Sequence, residues 1–338
     1  MMKKIVFLGV LILILASSIF VTAFAASEVT VYTALQEGDM GPISKAFEQA
    51  TGIKMNYVVV GGAGQVQTRI LAEAANPQAD VFLGGSSEFH AALSEKGLLR
   101  KYTSPNVKNV TETFIDPSGY WQGWYLGVLG FVLNTDRYTK EIAPKGVKKP
   151  ATWDDALNPA WKGIFVSSNP STAGGAYIFL CNQIFRLGED NAWTYLKKLH
   201  QNVHHYTPNA PGPITAVATG EFILGMSWAH DIVNTRRQGY PIEVLVPSDT
   251  AFEIGTVSII KNDKSGNLGN AQKLVDWLLT KEAGELNSKN SLRYSARNDV
   301  AAPSGMPVLN TVKLVKYDRV WAATHKADLL KKWEQIIQ

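Results

Sequence analysis

The chain has 338 residues, of which 46% are hydrophobic and 18% are charged, and this composition excludes a disordered, collagen-like or coiled-coil protein. One cysteine, Cys181, cannot form an intramolecular disulfide, and six scattered histidines without a second cysteine cannot build a thiolate zinc site. The net charge of +4 falls to +2 without residues 1–26, so we expect no nucleic-acid partner.

Residues 1–26 have the pattern of a cleavable secretory signal peptide. Lys3 and Lys4 precede an apolar run, and Ala23-Phe24-Ala25 gives small residues at the A-x-A spacing of a cleavage site. The alternative is a membrane anchor, because the run approaches the ~20 residues that a spanning helix needs. The pattern predicts cleavage near Ala25 or Ala26 and a mature periplasmic protein.

After this segment, short β-rich runs alternate with helical patterns, which is typical of sheets flanked by helices. Strands are predicted at 29–33, 53–60 and 80–85, and the helices that follow them are predicted to start near Gly41-Pro42, Val66 and Ser86. Turns from strand to helix lie together at the carboxyl edge of an open α/β sheet, where ligands bind. This edge is therefore the predicted ligand side.

Two long apolar strands, 124–134 and 253–260, could each pass from one lobe to another. The fold prediction is therefore an α/β protein of two lobes, each a mixed sheet flanked by helices, joined by a hinge that can close on a ligand. The predicted division is a signal peptide at 1–26, lobe 1 at 27–128, lobe 2 at 129–254, a return to lobe 1 at 255–295, and C-terminal helices packing on lobe 2 at 296–338.

The order and spacing of several motifs resemble the extracellular solute-binding proteins of ABC importers, and among them the ferric-iron-binding-like group. These motifs are Val29–Thr33, Phe47–Ile53, Ala79–Phe82, Glu95–Leu99 and Thr152–Gly163. The resemblance implies a type II periplasmic binding protein fold, one ligand in the cleft and delivery to an inner-membrane ABC permease. An internal cleft as the recognition surface also leads us to expect a monomer.

The iron binders of this group resemble one another in a pair of adjacent tyrosines in the second lobe, since Fe³⁺ favours phenolate oxygen. The corresponding stretch here is Ser227-Trp228-Ala229-His230-Asp231, and none of the twelve tyrosines is adjacent to another. We therefore expect no metal and no cofactor. Ferric iron stays open as an alternative through separated tyrosines or a bridging anion.

His230, Asp231 and Glu253 are the candidate contacts for ligand hydroxyls. Two carboxylates and an imidazole suit a vicinal pair of hydroxyl groups, which donate hydrogen bonds to carboxylates. The three residues also match in type and approximate spacing the sugar contacts of the hexose-phosphate-binding branch that the chain resembles. The alternative is that His230-Asp231 caps a helix and that Glu253 pairs with a surface lysine.

Hydroxyl groups at predicted helix starts are the candidate phosphate contacts, because free backbone N–H groups point outward there. Alone, each of these positions also suits ordinary helix capping. The predicted phosphate contacts at helix starts are Ser86, Ser87, Ser171 and Thr172. Two further contacts are predicted: Thr33 at the end of the first strand, and Gly174, which allows a ligand close to the backbone.

A phosphate pocket and a hydroxyl pocket in one cleft predict a phosphorylated small molecule as ligand, with a hexose phosphate favoured. An aminophosphonate is the nearest alternative, since carboxylates would also hold its ammonium group. Catalysis is not expected: Ser227 lacks a Gly-x-Ser-x-Gly elbow, and the glycines at 61–64 lack the lysine of a phosphate-binding loop.

Overall fold

The computed structural model describes residues 27–337. This part of the chain contains eleven strands of at least two residues and eleven helices of at least six residues. The predicted signal peptide lies outside the described residues. The strands are β1 Glu28–Thr33, β2 Lys54–Val59, β3 Val81–Ser86, β4 Leu99–Arg100, β5 Trp121–Asn134, β6 Phe165–Ser168, β7 Val203–Thr207, β8 Leu224–Trp228, β9 Ile242–Leu245, β10 Phe252–Ile260 and β11 Tyr294–Ser295.

The helices alternate with these strands over most of the chain. They are α1 Glu37–Thr51, α2 Ala63–Ala72, α3 Ser87–Glu95, α4 Gly174–Leu187, α5 Glu189–His200, α6 Pro211–Ala218, α7 Ala229–Arg237, α8 Leu268–Leu278, α9 Lys281–Ser291, α10 Arg319–Thr324 and α11 Lys326–Ile337. Short helical turns join them, at Pro105–Asn109, Glu112–Phe114, Thr135–Arg137, Tyr138–Ile142, Ala143–Lys145, Trp153–Leu157, Pro159–Trp161 and Leu309–Thr311. In the described range, no helix is long and apolar enough to cross a membrane.

The strands form a mixed sheet in the order β2-β1-β3-β10-β5-β8-β6-β7, with β4 paired to β10, and β9 and β11 paired to β5. Strand β1 runs parallel to β2 and β3, whereas β10 runs antiparallel to β3 and β5. In the second half of the sheet, β6 runs parallel to β7 and β8. The mixed sheet flanked by helices agrees with the predicted fold class.

Strand β5 connects two lobes. Residues Trp121 to Val128 pair with β10, and residues Leu129 to Leu133 pair with β8. All fourteen residues of β5 are buried, which explains the long apolar run in the sequence. We call the part with β1–β4, β10, β11, α1–α3, α8 and α9 lobe 1, and the part with β6–β9 and α4–α7 lobe 2. The predicted residue boundaries of the domains stay a prediction.

Each lobe has its own aromatic-rich core. Phe47, Trp124 and Trp277 lie in the core of lobe 1, and Phe47 meets Trp277 edge to face at a centroid distance of 5.6 Å. The core of lobe 2 includes Trp153 and Cys181, both fully buried. Packing of apolar surface therefore stabilises each lobe.

The C-terminal helices contact both lobes. Leu329 and Trp333 pack into the core of lobe 2. From the same segment, the Arg319 guanidinium lies 3.3 Å from the Glu88 carboxylate of α3, and the Lys326 ammonium lies 3.4 Å from the centre of the Phe89 ring. The segment therefore reaches the lobe 1 helix whose first turn faces the cleft.

Several helices begin at other residues than predicted. Helix α1 begins at Glu37, four residues before the predicted Gly41, with Pro42 inside it; acidic residues in its first turn favour this earlier start. Helix α4 begins at Gly174, because Asn169 accepts hydrogen bonds from the backbone N–H groups of Thr172 and Ala173 and holds a turn there.

Candidate ligand-binding site

A cavity of about 300 Å³ lies between the lobes and receives residues from both. Ala34, Gly62 and Ser86 line it from lobe 1, and Gly174 and Trp228 line it from lobe 2. Its volume is at the lower end of the range for sites that bind small molecules. The cavity therefore suits one small ligand held by both lobes.

Six helices begin at this cavity. The residue that precedes the first turn of each one lines the cavity, and these N-cap residues are Gln36, Gly62, Ser86, Ala173, Ala210 and Trp228. None of the six side chains accepts a hydrogen bond from its own helix. Helix α6 has no free N–H group in its first turn, because Pro211 and Pro213 carry none and the Gly212 N–H donates to Asn209 Oδ1 at 3.0 Å. The first turns of the other five helices keep backbone N–H groups and a partial positive charge that can face an anion.

Three of these helix starts meet across the cleft. A Cβ atom at Gly62 of lobe 1 would lie 3.4 Å from the carbonyl oxygen of Thr172, and one at Gly174 would lie 3.9 Å from Ser86 Oγ. Ser86 Oγ is buried and has no hydrogen-bond partner within the described chain. We call the cavity wall formed by the starts of α2, α3 and α4 the helix-start end.

Gly85 makes this close approach feasible. Its φ of +79° is in the left-handed region, and a Cβ atom there would lie 2.4 Å from the Cβ of Ala63. Its backbone N–H donates to Tyr125 Oη at 3.2 Å. Because other residues would be strained at this φ and would collide with α2, glycine fits the junction of β3 and α3.

Charged side chains occupy another part of the cavity wall. Asp231, Glu253 and Arg293 line it together with Tyr125. The Arg293 guanidinium lies 2.6 Å from the Asp39 carboxylate of α1, 3.8 Å from the Asp231 carboxylate of α7 and 5.1 Å from the centre of the Tyr125 ring. We call Asp231, Glu253 and Arg293 the charged end of the cavity.

Burial changes the protonation of the two cavity carboxyl groups. It raises the pKa of Glu253 to about 8, with Arg293 opposing the shift and Asp231 adding to it. It raises the pKa of Asp231 to about 6, again against Arg293. At neutral pH the Glu253 carboxyl is therefore mostly protonated and the Asp231 carboxylate mostly charged, so the two present a hydrogen-bond donor and an acceptor.

The structure brings five of the predicted site residues to one cavity. Ser86, Thr172 and Gly174 line the helix-start end, and Asp231 and Glu253 line the charged end. The predicted roles of these residues as ligand contacts stay a prediction.

The other four predicted residues lie behind or beside the cavity wall. Thr33 Oγ1 donates to the Leu83 carbonyl and accepts from the Leu35 N–H, so it holds the turn after β1. Ser171 is exposed, in the turn before α4. Ser87 is buried in the first turn of α3, and its Oγ has no partner within the described chain.

His230 is fully buried beneath Asp231. Its Nε2 atom lies 3.5 Å from the Asp231 carboxylate, and its ring stacks on Trp228 at a centroid distance of 6.1 Å. Burial and the charge of Arg293 hold its pKa well below the usual range, so the ring is neutral at physiological pH. Its predicted contact with ligand hydroxyls also stays a prediction.

Sequence reasoning missed Arg293, Tyr125 and Trp228 as cavity residues. Arg293 follows a left-handed residue, Leu292, whose φ is +58°, and no motif surrounds it. Its partner Asp39 lies 254 residues away in the chain. Trp228 had a local signal that was available, because it stands two residues before His230 at the end of a buried strand.

Two α/β lobes that share a long strand and enclose a ligand-sized cavity define a type II periplasmic binding protein. Residues 76–321 match the family of bacterial extracellular solute-binding proteins, and the chain belongs to this family. Its members are substrate-binding components of transporters and not enzymes. The chain is thus a periplasmic solute-binding protein of the ABC-importer type, as the sequence motifs predicted.

Proteins that are similar to this chain are described with different ligands. The solved periplasmic binding protein AfuA from Actinobacillus pleuropneumoniae, with exogenous fructose-6-phosphate bound, is 32% identical with a TM-score of 0.85, over 92% of this chain and 98% of that one. A putative 2-aminoethylphosphonate-binding periplasmic protein from Salmonella typhimurium is 27% identical, over 82% and 81% of the two chains. Iron-bound HitA from Pseudomonas aeruginosa is 20% identical with a TM-score of 0.79, over 92% and 99%, which shows the fold alone.

Proposed function

We propose that the chain captures a sugar phosphate, such as a hexose phosphate, in the interlobe cavity and delivers it to an inner-membrane ABC permease. The observation that carries the proposal is the union of two chemistries in one cavity: uncapped helix starts at one part of the wall, and Asp231 with Glu253 at another. A ligand with an anionic group and several hydroxyls satisfies both.

The helix-start end suits a phosphate without any lysine. Backbone N–H groups at the starts of α2, α3 and α4 donate to phosphate oxygens, and the three helix dipoles favour the negative charge. Ser86 Oγ, buried without a partner, and Thr172 add hydroxyl donors from opposite lobes. Ser87, Ser171 and Gly174 contribute as first-turn or preceding residues, and Thr33 supports the neighbouring turn. Phosphate binding thus draws the lobes together.

The charged end suits hydroxyl groups. The charged Asp231 carboxylate accepts hydrogen bonds, and the protonated Glu253 carboxyl both donates and accepts. His230, stacked on Trp228 and 3.5 Å from Asp231, supports the Asp231 side chain from behind. Vicinal hydroxyls, each both donor and acceptor, complement such a mixed set better than an anion does.

An aminophosphonate is the second candidate. The chain is 27% identical to a putative 2-aminoethylphosphonate-binding protein, and Asp231 could hold an ammonium group.

Ferric iron is supported less. Among the cavity-lining residues that the structure describes, there is one tyrosine, Tyr125. Burial and the Glu253 charge raise the pKa of its phenol. The described residues also contain no group of three or more histidine, cysteine or acidic side chains placed to hold a metal.

Isothermal titration calorimetry of residues 27–338 tests the proposal. The titrants are hexose 6-phosphates, hexose 1-phosphates, free hexoses, 2-aminoethylphosphonate, inorganic phosphate and ferric citrate. Saturable heat with a hexose phosphate, and at least tenfold weaker binding of free hexose and inorganic phosphate, supports the proposal. Tight ferric binding with a visible charge-transfer band and no heat from phosphorylated ligands contradicts it. Light scattering of the same samples tests the proposed monomer.

A further inference from the structure

We propose that Arg293 is the residue that determines specificity at the charged end, reserving it for neutral hydroxyl groups and excluding ligands that carry an ammonium group there. This inference rests on the proposed function. It adds a substrate class, the unaminated sugar phosphates, and names the residue that sets it.

The Arg293 side chain is fixed in place. Its side chain is 6% exposed and lies 5.1 Å from the centre of the Tyr125 ring. Its Nη1 atom donates to the Asp39 carboxylate at 2.6 Å, a strong charge-assisted hydrogen bond. Because the pair is buried and joined to α1, the guanidinium cannot swing away to make room for a second cation.

The Arg293 guanidinium lies at different distances from the Asp39 and Asp231 carboxylates. Asp39 takes the short bond, whereas Asp231 lies 3.8 Å from Nη2, beyond hydrogen-bond distance. Arg293 therefore offsets the charge of Asp231 through space and leaves its oxygens free. A carboxylate in that state still accepts hydrogen bonds from hydroxyls, but it attracts an ammonium group far less.

The charges of the cavity wall also favour a neutral group at this end. Among the cavity-lining residues that the structure describes, there is one arginine and no lysine, so Arg293 supplies the permanent positive charge. Burial raises the pKa of Glu253 to about 8, so its carboxyl is mostly protonated at neutral pH and balances the Arg293 charge only in part. Asp39 balances the Arg293 charge from the side of α1, and Arg293 Nη2 faces Asp231 at 3.8 Å. An ammonium group placed between Asp231 and Glu253 would therefore meet the Asp231 carboxylate with the guanidinium beside it, whereas a hydroxyl meets no repulsion.

The test compares two ligands that differ by one group, glucose 6-phosphate and glucosamine 6-phosphate, with 2-aminoethylphosphonate as a third. In the wild-type protein we expect the glucose ester to bind at least tenfold more tightly than the amino ester. Arg293→Met keeps an unbranched apolar stem, shorter than that of arginine, and removes the charge. We expect this variant to lose or reverse the preference, and to gain affinity for 2-aminoethylphosphonate by at least tenfold.

Three controls isolate the charge. Arg293→Lys keeps the charge, so the preference should persist. Arg297→Met repeats the substitution at an arginine paired with Asp299 outside the cavity, and should leave the preference unchanged. If Arg293→Met does not fold, the double variant Asp39→Asn/Arg293→Met, which leaves no unpaired Asp39 charge, replaces it.

An unchanged preference in a folded Arg293→Met protein, or its double variant, overturns the inference while the proposed function stands. Equal wild-type affinity for the glucose and glucosamine esters also overturns it. Failure of the wild type to bind any sugar phosphate, detected in the same titrations, instead overturns the proposed function.

Discussion

Glu253→Gln should remove a large pH dependence from the stability of the protein. Burial raises the pKa of Glu253 from 4.5 to about 8. In the folded state the carboxyl thus keeps its proton over a pH range in which the unfolded chain has lost it. A folded pKa above the unfolded one means that the stabilisation is complete below pH 4.5 and is lost as pH rises to about 8.

The magnitude follows from the size of the shift. At about 1.36 kcal/mol per pKa unit, the rise from 4.5 to about 8 corresponds to a ceiling of about 5 kcal/mol. Water in the cavity solvates part of the carboxylate, so we expect about 2–4 kcal/mol. Relative to Glu253→Gln, the wild-type free energy of unfolding should fall by this amount between pH 5 and pH 8 and then level off.

Urea unfolding followed by tryptophan fluorescence at unit steps from pH 5 to pH 9 measures this difference. Asp231→Asn is the matched control, because burial raises the pKa of Asp231 only to about 6 and its difference from wild type should level off near that pH. A constant gap between wild type and Glu253→Gln over the whole range would refute the reasoning about this buried carboxyl.

Three further predictions concern the two parts of the cavity and the strands beneath them. Asp231→Ala should weaken hexose phosphate binding about 10- to 150-fold, or roughly 1.5–3 kcal/mol, and leave inorganic phosphate almost unaffected; calorimetry showing equal losses for both ligands would contradict this. Thr172→Trp should weaken every phosphorylated ligand by a similar factor, since it blocks the start of α4; a loss confined to sugar esters in competition titrations would count against it. Gly255→Ala should destabilise the fold by about 1–3 kcal/mol, because its Cβ would lie 1.9 Å from the Tyr125 ring. Gly41→Ala should not destabilise the fold, because a Cβ atom at Gly41 meets nothing within 4 Å. Equal midpoints of thermal unfolding for these two variants would argue against the contact between Gly255 and Tyr125.

The strands were predictable because their signal is local. Apolar runs bounded by glycine or polar residues located β1, β3, β5 and β10 to within three residues of their ends. Helix starts were less predictable, since they depend on local turns. Asn169 delays α4 until Gly174, which moves the serine at 171 out to solvent.

The cavity was predictable where it follows strand ends. Ser86 is the last residue of the buried strand β3, and Asp231 stands three residues after the end of β8; strand ends of one sheet edge meet in space. Arg293 stands instead after the end of α9 and reaches the cavity through tertiary packing against α1. No periodicity or motif in the sequence encodes such a contact.

A crystal structure of residues 27–338 with a hexose 6-phosphate tests the central claim most directly. The account predicts phosphate oxygens within hydrogen-bond distance of backbone N–H groups at the starts of α2, α3 and α4, and sugar hydroxyls bonded to Asp231 and Glu253. A phosphate bonded to Arg293, with the sugar hydroxyls at the helix starts, would contradict it.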